Sequence, residues 1–405
     1  MIYDVVIIGA GAGGCFSAIQ AAYNGKNVLL LERNEKIGKK LFITGKGRCN
    51  VTNASDPLNH LNNIVNGKKF MNSASRVFTA SDTINFFENN GLSLKTERGN
   101  RVFPSSDKSS DVIRVFEKQI SDLNIDLKLG VKVENVTKRD NLFYIKCNNK
   151  ECYTSNRVIV ATGGKSYSAT GSDGFGYKLA KSFGHTIIEP RPGLIPIVLD
   201  DYVKDIEGLS LKNVSASVEI DSKIVTSEFG EMLFTSNGVS GPIVLTISSK
   251  INRLDLSNAT FLIDFKPALT VDFLDNKLIE EFNSNSKKKL STYLKTLLPI
   301  NFIPKFVNKL NFEDKELSKI NKEERKQIVS LLKRFDFSIK MLDNIDDAII
   351  TSGGVSLDEI NPKTMESKLV SGLYFVGEVL DIDALTGGYN LQVAFSTAYV
   401  AGNNV

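Results

Sequence analysis

Apolar residues along this chain follow three rhythms. The first is the short unbroken run. Val5-Val6-Ile7-Ile8 and Val28-Leu29-Leu30-Leu31 are both such runs, and they predict parallel strands buried on both faces. A helix-like run over 15–23 lies between them, stopped by Asn24-Gly25. Further on, Val112, Val115, Phe116, Ile120 and Leu123 fall at helical spacing and predict a helix from Ser109. Short strands are expected at 126–129, 132–136, 142–146 and 157–161. Another helix runs up to about 183, and one lies near 83–89 in the otherwise polar stretch 54–108.

The second rhythm is alternation. Pro190, Pro192 and Pro196 mark a crossing into a different region. Beyond them, 214–220, 223–226, 232–235 and 260–265 alternate as half-buried antiparallel strands do, with one helix from Pro242. The third rhythm is the helical stripe: Leu274, Leu278 and Phe282; Leu290, Leu294, Leu297 and Leu298; Phe306, Val307 and Leu310; Ile328, Leu331, Leu332 and Phe335. Unbroken runs then return at 348–355 and 373–376, followed by a helix over 391–401. The expected organisation is one discontinuous domain, 1–189 with 351–405, interrupted by an antiparallel β domain (190–270 with 336–350) and a helical segment (271–335).

Composition changes this picture little. Of 405 residues, 42% are hydrophobic and 24% charged, ordinary for a globular chain with a large core. A net charge of +4 gives no argument for nucleic acid, so none is expected as a partner. No apolar run is long enough to span a membrane, and none is expected to contact one. Cys15, Cys49, Cys147 and Cys152 make no C-x-x-C pair, which reads as a reduced cytoplasmic protein. Two histidines are too few for a His-based metal cluster, and no metal is expected.

The chemistry starts at 4–32. Gly9, Gly11 and Gly14 occupy the three glycine places of G-x-G-x-x-G, with Ala12 and Gly13 between the last two. A strand precedes the motif and a helix follows it. Glu32 closes the next strand, where a carboxylate suits the hydroxyls of an adenosine ribose. Pyrophosphate would sit on the helix N-terminus. The acid favours FAD or NAD over NADP. The loop after Arg33 carries Lys39, Thr44, Gly45, Lys46, Gly47, Arg48, Cys49 and Asn50, a density of donors that suits an anion or polar ligand. Ala161-Thr162-Gly163-Gly164 and Gly377-Glu378 are strand ends where backbone can approach a ligand. Asp381 follows the second of them, and Gly388, Tyr389, Asn390 and Leu391 start a helix whose N–H groups suit a flavin pyrimidine edge. Glu378 suits ribityl hydroxyls. Val133 lies where a β-meander interrupts such nucleotide folds. Lys46 and Arg48 are candidates to bind a substrate carbonyl or carboxylate, or the pyrophosphate. Tyr389 is either a proton donor or a residue packed on the flavin edge, and Cys49 reads better as a small packing residue than as an active thiol.

Five stretches carry a resemblance that runs end to end: Gly9–Gly14, 38–53 (GKKLFITGKGRCNVTN), 161–176 (ATGGKSYSATGSDGFG), 230–242 (GEMLFTSNGVSGP) and 377–392 (GEVLDIDALTGGYNLQ). The chain resembles the bacterial NAD(P)/FAD-dependent oxidoreductases that include aminoacetone oxidase-like and 3-dehydro-bile acid delta(4,6)-reductase-like flavoproteins. The resemblance implies an α/β, Rossmann-like FAD-binding domain of the fumarate-reductase and glutathione-reductase type, discontinuous, with the two insertions described above. It implies FAD, with NADH or NADPH as a transient electron donor because no second dinucleotide fingerprint exists. The expected activity is hydride transfer at flavin N5 on a small molecule, first as a C=C (enone) reductase. An O₂-dependent amine oxidase is the alternative, and a macromolecular role such as tRNA modification, or a non-catalytic one, is the third reading.

Overall fold

The computed structural model describes residues 1–405. They divide into two units, 1–193 with 344–405, and 194–343.

The first unit is built on a seven-stranded sheet. Strand Ile2–Ile8 lies at its centre, parallel to Val28–Leu31 on one side and to Cys152–Val160 on the other. Asp126–Lys128 extends the first side and Leu373–Phe375 the second, both parallel. Val5, Val6, Ile7, Leu29, Leu30 and Val158–Val160 are essentially inaccessible, as expected when helices cover both faces of a parallel sheet. Strand Cys152–Val160 has two partners on one edge. Its first half pairs antiparallel with Leu142–Cys147, and its second half runs parallel to Leu373–Phe375. That split lets the Val133–Arg139/Leu142–Cys147 meander interrupt a doubly wound sheet without closing it.

Helices Ala12–Tyr23 and Tyr389–Gly402 pack against each other through Phe16 and Phe395, whose rings lie 5.5 Å apart. The polar stretch 54–108 holds more structure than its pattern announces: helices Pro57–Asn62, Lys68–Val77 and Ala80–Asn89, and a hairpin of Leu94–Glu97 with Arg101–Pro104. The donor-rich loop expected at 39–50 is also partly helical. Helix Lys39–Gly47 forms and then kinks, with Gly45 and Lys46 in left-handed conformation at φ 57° and 58°.

In the second unit the alternating strands close into a six-stranded barrel. The order is Ile197–Leu199, Gly238–Ser240, Lys223–Phe234, Ser210–Ile220, Ala259–Asp264 and Phe335–Leu342, which returns to the first. The two expected strands 223–226 and 232–235 are one continuous strand, Lys223–Phe234. The helices over 271–335 belong to this same compact unit and are not a separate segment. Phe234, Phe302, Phe335 and Phe337 join barrel and helices in one aromatic core. No helix of either unit is long and apolar enough to cross a membrane.

Candidate functional site

The N-terminal glycines make a cradle whose shape is set by main chain. Gly9 turns at φ 99°, and a Cβ there would stand 2.7 Å from the Ala161 carbonyl oxygen. A Cβ on Gly14 would stand 1.7 Å from the Gly9 carbonyl oxygen, closer than any relaxation permits. A Cβ on Gly11 meets nothing within 4 Å, so this residue faces open space. Helix Ala12–Tyr23 begins there with no side-chain cap and no acid in its first turn. Its leading N–H groups and positive dipole end are therefore free for an anion. Glu32 is buried beside this turn. It accepts from Ala10 N at 2.8 Å, Asn34 N at 2.9 Å and Asn34 Nδ2 at 2.7 Å. Three donors on a carboxylate leave acceptor capacity for one further hydroxyl, while the bond to Ala10 ties the acid to the glycine turn. An open cradle, a free helix end and an acid at the strand end together fit the pyrophosphate and ribose of a dinucleotide.

A second cluster lies where Gly164 meets Thr351 and Glu378. A Cβ on Gly164 would stand 2.4 Å from Thr351 Oγ1 and 3.0 Å from Glu378 Oε1. Glu378 accepts from Thr351 N at 2.8 Å, Ser166 Oγ at 3.1 Å, and Lys40 Nζ at 2.7 and 2.9 Å. The Lys40 and Glu378 side chains are only about one-fifth exposed, at 20% and 22%. Thr351 Oγ1 in turn accepts from Lys165 N and Ser166 N at 2.7 and 3.0 Å. Four separate stretches of chain are joined in this network. Glu378, expected to hold ribityl hydroxyls, has these protein partners.

The third cluster surrounds the start of helix Tyr389–Gly402. Gly388 sits at φ 100° with Thr52 so close that a Cβ would lie 2.4 Å from its carbonyl. This helix also starts with no side-chain cap and no acid. Asn53 Nδ2 donates to Gly387 O at 3.0 Å and to Gly99 O at 2.9 Å. The Tyr389 hydroxyl donates to Asn59 Oδ1 at 3.3 Å, and its ring meets His60 edge-on at 5.0 Å. Burial raises the Tyr389 phenol pKa, and burial lowers that of His60. Asn390 uses its whole amide on the 384–385 turn, donating to Ala384 O at 2.7 Å and accepting from Ala384 N at 3.0 Å. Leu391 is partly buried against the core.

Several residues singled out from the sequence stand apart from these clusters. Arg48 is paired with Glu97 and Asp107, and its guanidinium lies 4.1 Å over the Phe103 ring. The partner expected for it was a substrate carbonyl or carboxylate; the partners seen are these neighbouring side chains. Lys39 turns to Glu35 at 3.3 Å, and Arg33 pairs with Asp173. Lys46 is exposed on the left-handed turn, next to Gly47 at φ 82°. Thr44 Oγ1 donates to its own helix at Leu41 O, 2.7 Å away. Cys49 is wholly buried, and that burial pushes its thiol up to about 12, so it stays protonated at neutral pH and is no active nucleophile. Asn50 keeps a buried Oδ1 with no hydrogen-bond partner. Val133 points into the core, so only its backbone is available to a ligand. Thr162 and Gly163 border the cradle beside Ala161. Gly377 donates to Thr397 Oγ1 at 3.0 Å, and Asp381 is buried with its N–H on Val355 O.

A family model described as "HI0933-like protein Rossmann domain" matches residues 3–404. The chain belongs to this HI0933-like family. It is an FAD-dependent oxidoreductase. Over 99% of its length it is 31% identical to a protein named ribosomal RNA dihydrouridine synthase from Haemophilus influenzae, covering 98% of that protein. It is 30% identical over 98% of its length to a 3-dehydro-bile acid delta(4,6)-reductase from Clostridium scindens, covering 97% of it. Among solved structures, a 3-ketosteroid-delta4-(5alpha)-dehydrogenase from Rhodococcus jostii RHA1 aligns with a TM-score of 0.51 and 13% identity, covering 99% of this chain and 96% of that one. At that identity the likeness speaks for the fold alone.

This HI0933-like chain has functional groups that the pattern did not single out. Lys40, Ser166 and Thr351 are the clearest. A helix turns about 100° per residue, so the adjacent Lys39 and Lys40 point in different directions, and nothing local says which of them meets a distant partner. Lys40 meets Glu378, 338 residues away. His60 came from a stretch read only as polar and mixed, and Asn53 closes the 38–53 motif without having been singled out there.

Proposed function

We propose that this enzyme saturates a C=C bond conjugated to a carbonyl, and that its substrate is a uracil base of RNA. The observation carrying the reading is the end-to-end similarity to two proteins whose names describe one reaction class. A dihydrouridine synthase saturates the uracil C5=C6 bond beside its C4 carbonyl. A 3-dehydro-bile acid delta(4,6)-reductase saturates bonds conjugated to a 3-oxo group.

FAD, when bound, supplies hydride from N5 to the carbon remote from the carbonyl. The adjacent carbon takes a proton, and NADH or NADPH is the two-electron reductant, oxidised in the process. The chain's own residues have separable tasks. The Gly9–Gly14 turn and the free end of helix Ala12–Tyr23 bind pyrophosphate, and Glu32 orients the ribose. The uncapped start of helix Tyr389–Gly402 favours negative charge nearby. Tyr389, its phenol kept protonated by burial, is the proposed proton donor.

Charge supports RNA over a small enone once it is divided along the chain. Residues 194–343 hold 21 Lys and Arg against 21 Asp and Glu, which leaves the FAD-binding unit 29 against 25. Within it, residues 1–193 alone carry 27 against 17. The near-neutral total sums this basic stretch with an acidic one in the same unit, residues 344–405, which hold 2 against 8. The second reading, a small enone, rests on the bile-acid reductase likeness.

The test offers NADPH or NADH and FAD-loaded protein two substrates in parallel: unmodified ribosomal RNA transcript, and a 3-oxo-4-ene steroid. Mass spectrometry should find two added hydrogens on a uridine of the RNA. Saturation of the steroid with no change in the RNA would move the assignment to the small-molecule reading.

A further inference from the structure

On the outer face of helix Lys68–Val77 lies a hollow of about 420 Å³ lined by Lys69, Phe70, Asn72, Ser73, Arg76 and, from a separate turn, Pro362 and Lys363. We propose that this hollow binds the phosphodiester backbone of an RNA strand. The inference deepens the RNA reading above and rests on it.

The helix supplies the geometry. Lys69, Asn72, Ser73 and Arg76 stand at i, i+3, i+4 and i+7, so their side chains share one face and present donors in a row. Met71 and Ala74 on the opposite face are buried in the core of the unit, as is Phe70 at the edge of the hollow, which makes the helix a fixed platform. Lys363 adds a third cation from across the hollow, its backbone N–H held by Asn361 Oδ1 at 3.0 Å. Arg76 Nε donates to Asn72 Oδ1 at 3.0 Å, which orients the guanidinium along the same face.

What marks this hollow is that three cations meet at it with no carboxylate among its lining residues. Arg33, Lys39, Lys40, Arg48 and Lys95 each have a carboxylate within 4 Å. Lys69, Arg76 and Lys363 have none, and no carboxylate lines the hollow. Three cations gathered around one depression repel each other unless an anion enters, and an extended polyanion satisfies several together. Asn72 and Ser73 are neutral donors of the kind that bond phosphate oxygens. The row follows the helix axis for about two turns, on the order of 10 Å, long enough for neighbouring phosphates of one strand rather than a single ion. The inner face of the same helix packs against helix Tyr389–Gly402, which begins at the third cluster of the site.

The test uses full-length, FAD-loaded protein and a labelled single-stranded RNA containing uridine, with binding followed by fluorescence anisotropy across a salt series. The triple variant Lys69→Ala/Arg76→Ala/Lys363→Ala is compared with wild type and with the charge-keeping Lys69→Arg/Lys363→Arg. Each phosphate contact on a single strand contributes about 0.7 to the slope of log K against log salt. The triple variant should therefore lose about two units of slope and bind at least tenfold more weakly at low salt, with flavin content and melting temperature unchanged. The charge-keeping variant should match wild type. An unchanged slope in the triple variant overturns the hollow while leaving RNA as substrate. Failure of wild type to bind RNA at all overturns both readings. Equal competition by an acidic polypeptide such as polyglutamate would show general polyanion adhesion and overturn the RNA assignment of the hollow.

Discussion

The glycine cradle and the Lys40–Glu378 cluster are both parts of one FAD-binding unit, yet they are specified in different ways. The cradle is a property of main chain. Gly9 and Gly14 are fixed because carbonyl oxygens of Ala161 and Gly9 occupy the space of any Cβ, and those constraints lie within a few residues or one strand of each other. The Lys40–Glu378 cluster is a property of side chains brought from four distant stretches. The first kind of site is intolerant of added atoms. The second kind is intolerant of lost charge.

The largest effect should follow from Gly14→Ala. Its methyl would overlap the Gly9 carbonyl oxygen, and neither group is a side-chain end that can move aside. Destabilisation of about 4 kcal/mol or more is expected, in the range reserved for such clashes, read as loss of soluble, flavin-bearing protein. Gly11→Ala is the paired control. Its methyl enters open space, so the chain should fold and melt as wild type while FAD binds more weakly. Equal behaviour of the two variants would break the main-chain account of the cradle.

Next in size is Lys40→Met, which leaves the Glu378 carboxylate partly buried without its cation. A loss of about 1–3 kcal/mol in urea unfolding is expected, the cost of an unsatisfied charged partner. Lys39→Met, one residue away but facing an exposed Glu35, should leave the unfolding midpoint where it is. Similar losses from both lysines would show that the Lys40–Glu378 pair is no more than a surface contact.

Acid should act on two histidine sites. Burial lowers the folded-state pKa of both His60 and His185 from the ordinary 6.5. Burial keeps His185 neutral against the opposing pull of Glu359 at 3.0 Å, and its other ring nitrogen meets Ser367 Oγ at 2.9 Å. The unfolded chain then takes up protons first, so stability is complete above pH 6.5 and declines as pH falls below it toward the lowered folded values. Urea midpoints measured at pH 7.5 and 5.5 should show the decline, and replacing either histidine with Gln should flatten part of it. A midpoint that rises on acidification would contradict the sign.

The smallest effect is expected for Arg48→Ala. Its partner Asp107 is exposed and Glu97 half-buried, at 44% and 30%, and ion pairs this open to solvent contribute little. Stability and turnover should both stay close to wild type. A large loss of turnover with unchanged stability would return Arg48 to the substrate role that its place in the sequence suggested.

The same contrast explains what could be read from the sequence. The βαβ start, the discontinuous sheet and the Gly388 helix start were legible because unbroken apolar runs and glycines record main-chain demands directly. The barrel was visible only as alternating strands. Its closure pairs Ile197–Leu199 with Phe335–Leu342, a register between distant segments that no local period encodes. Helices Pro57–Asn62 and Lys68–Val77 were hidden in a stretch rich in Asn, Ser and Lys, where tertiary packing of Phe70, Met71 and Ala74 outweighs weak propensity. The carboxylates beside Arg48 and Lys39 could not be read, because a cation in a Gly-rich loop gives no sign of its partner. Whole-chain charge hid the basic character of residues 1–193 because the acidic stretch 344–405 offsets it.

The central claim, that this flavoprotein passes its electrons to a uracil C=C bond in RNA, is tested most directly by anaerobic reoxidation. The FAD-loaded protein is reduced with stoichiometric NADPH or NADH, freed of oxygen and mixed with unmodified ribosomal RNA transcript, while flavin absorbance is followed. The expected result is return of the oxidised spectrum without oxygen, matched by two hydrogens gained per converted uridine, and no return when the same transcript already carries dihydrouridine at that position. Reduced flavin that stays bleached with RNA and recovers only with a 3-oxo-4-ene steroid, or only on admission of air, would contradict it.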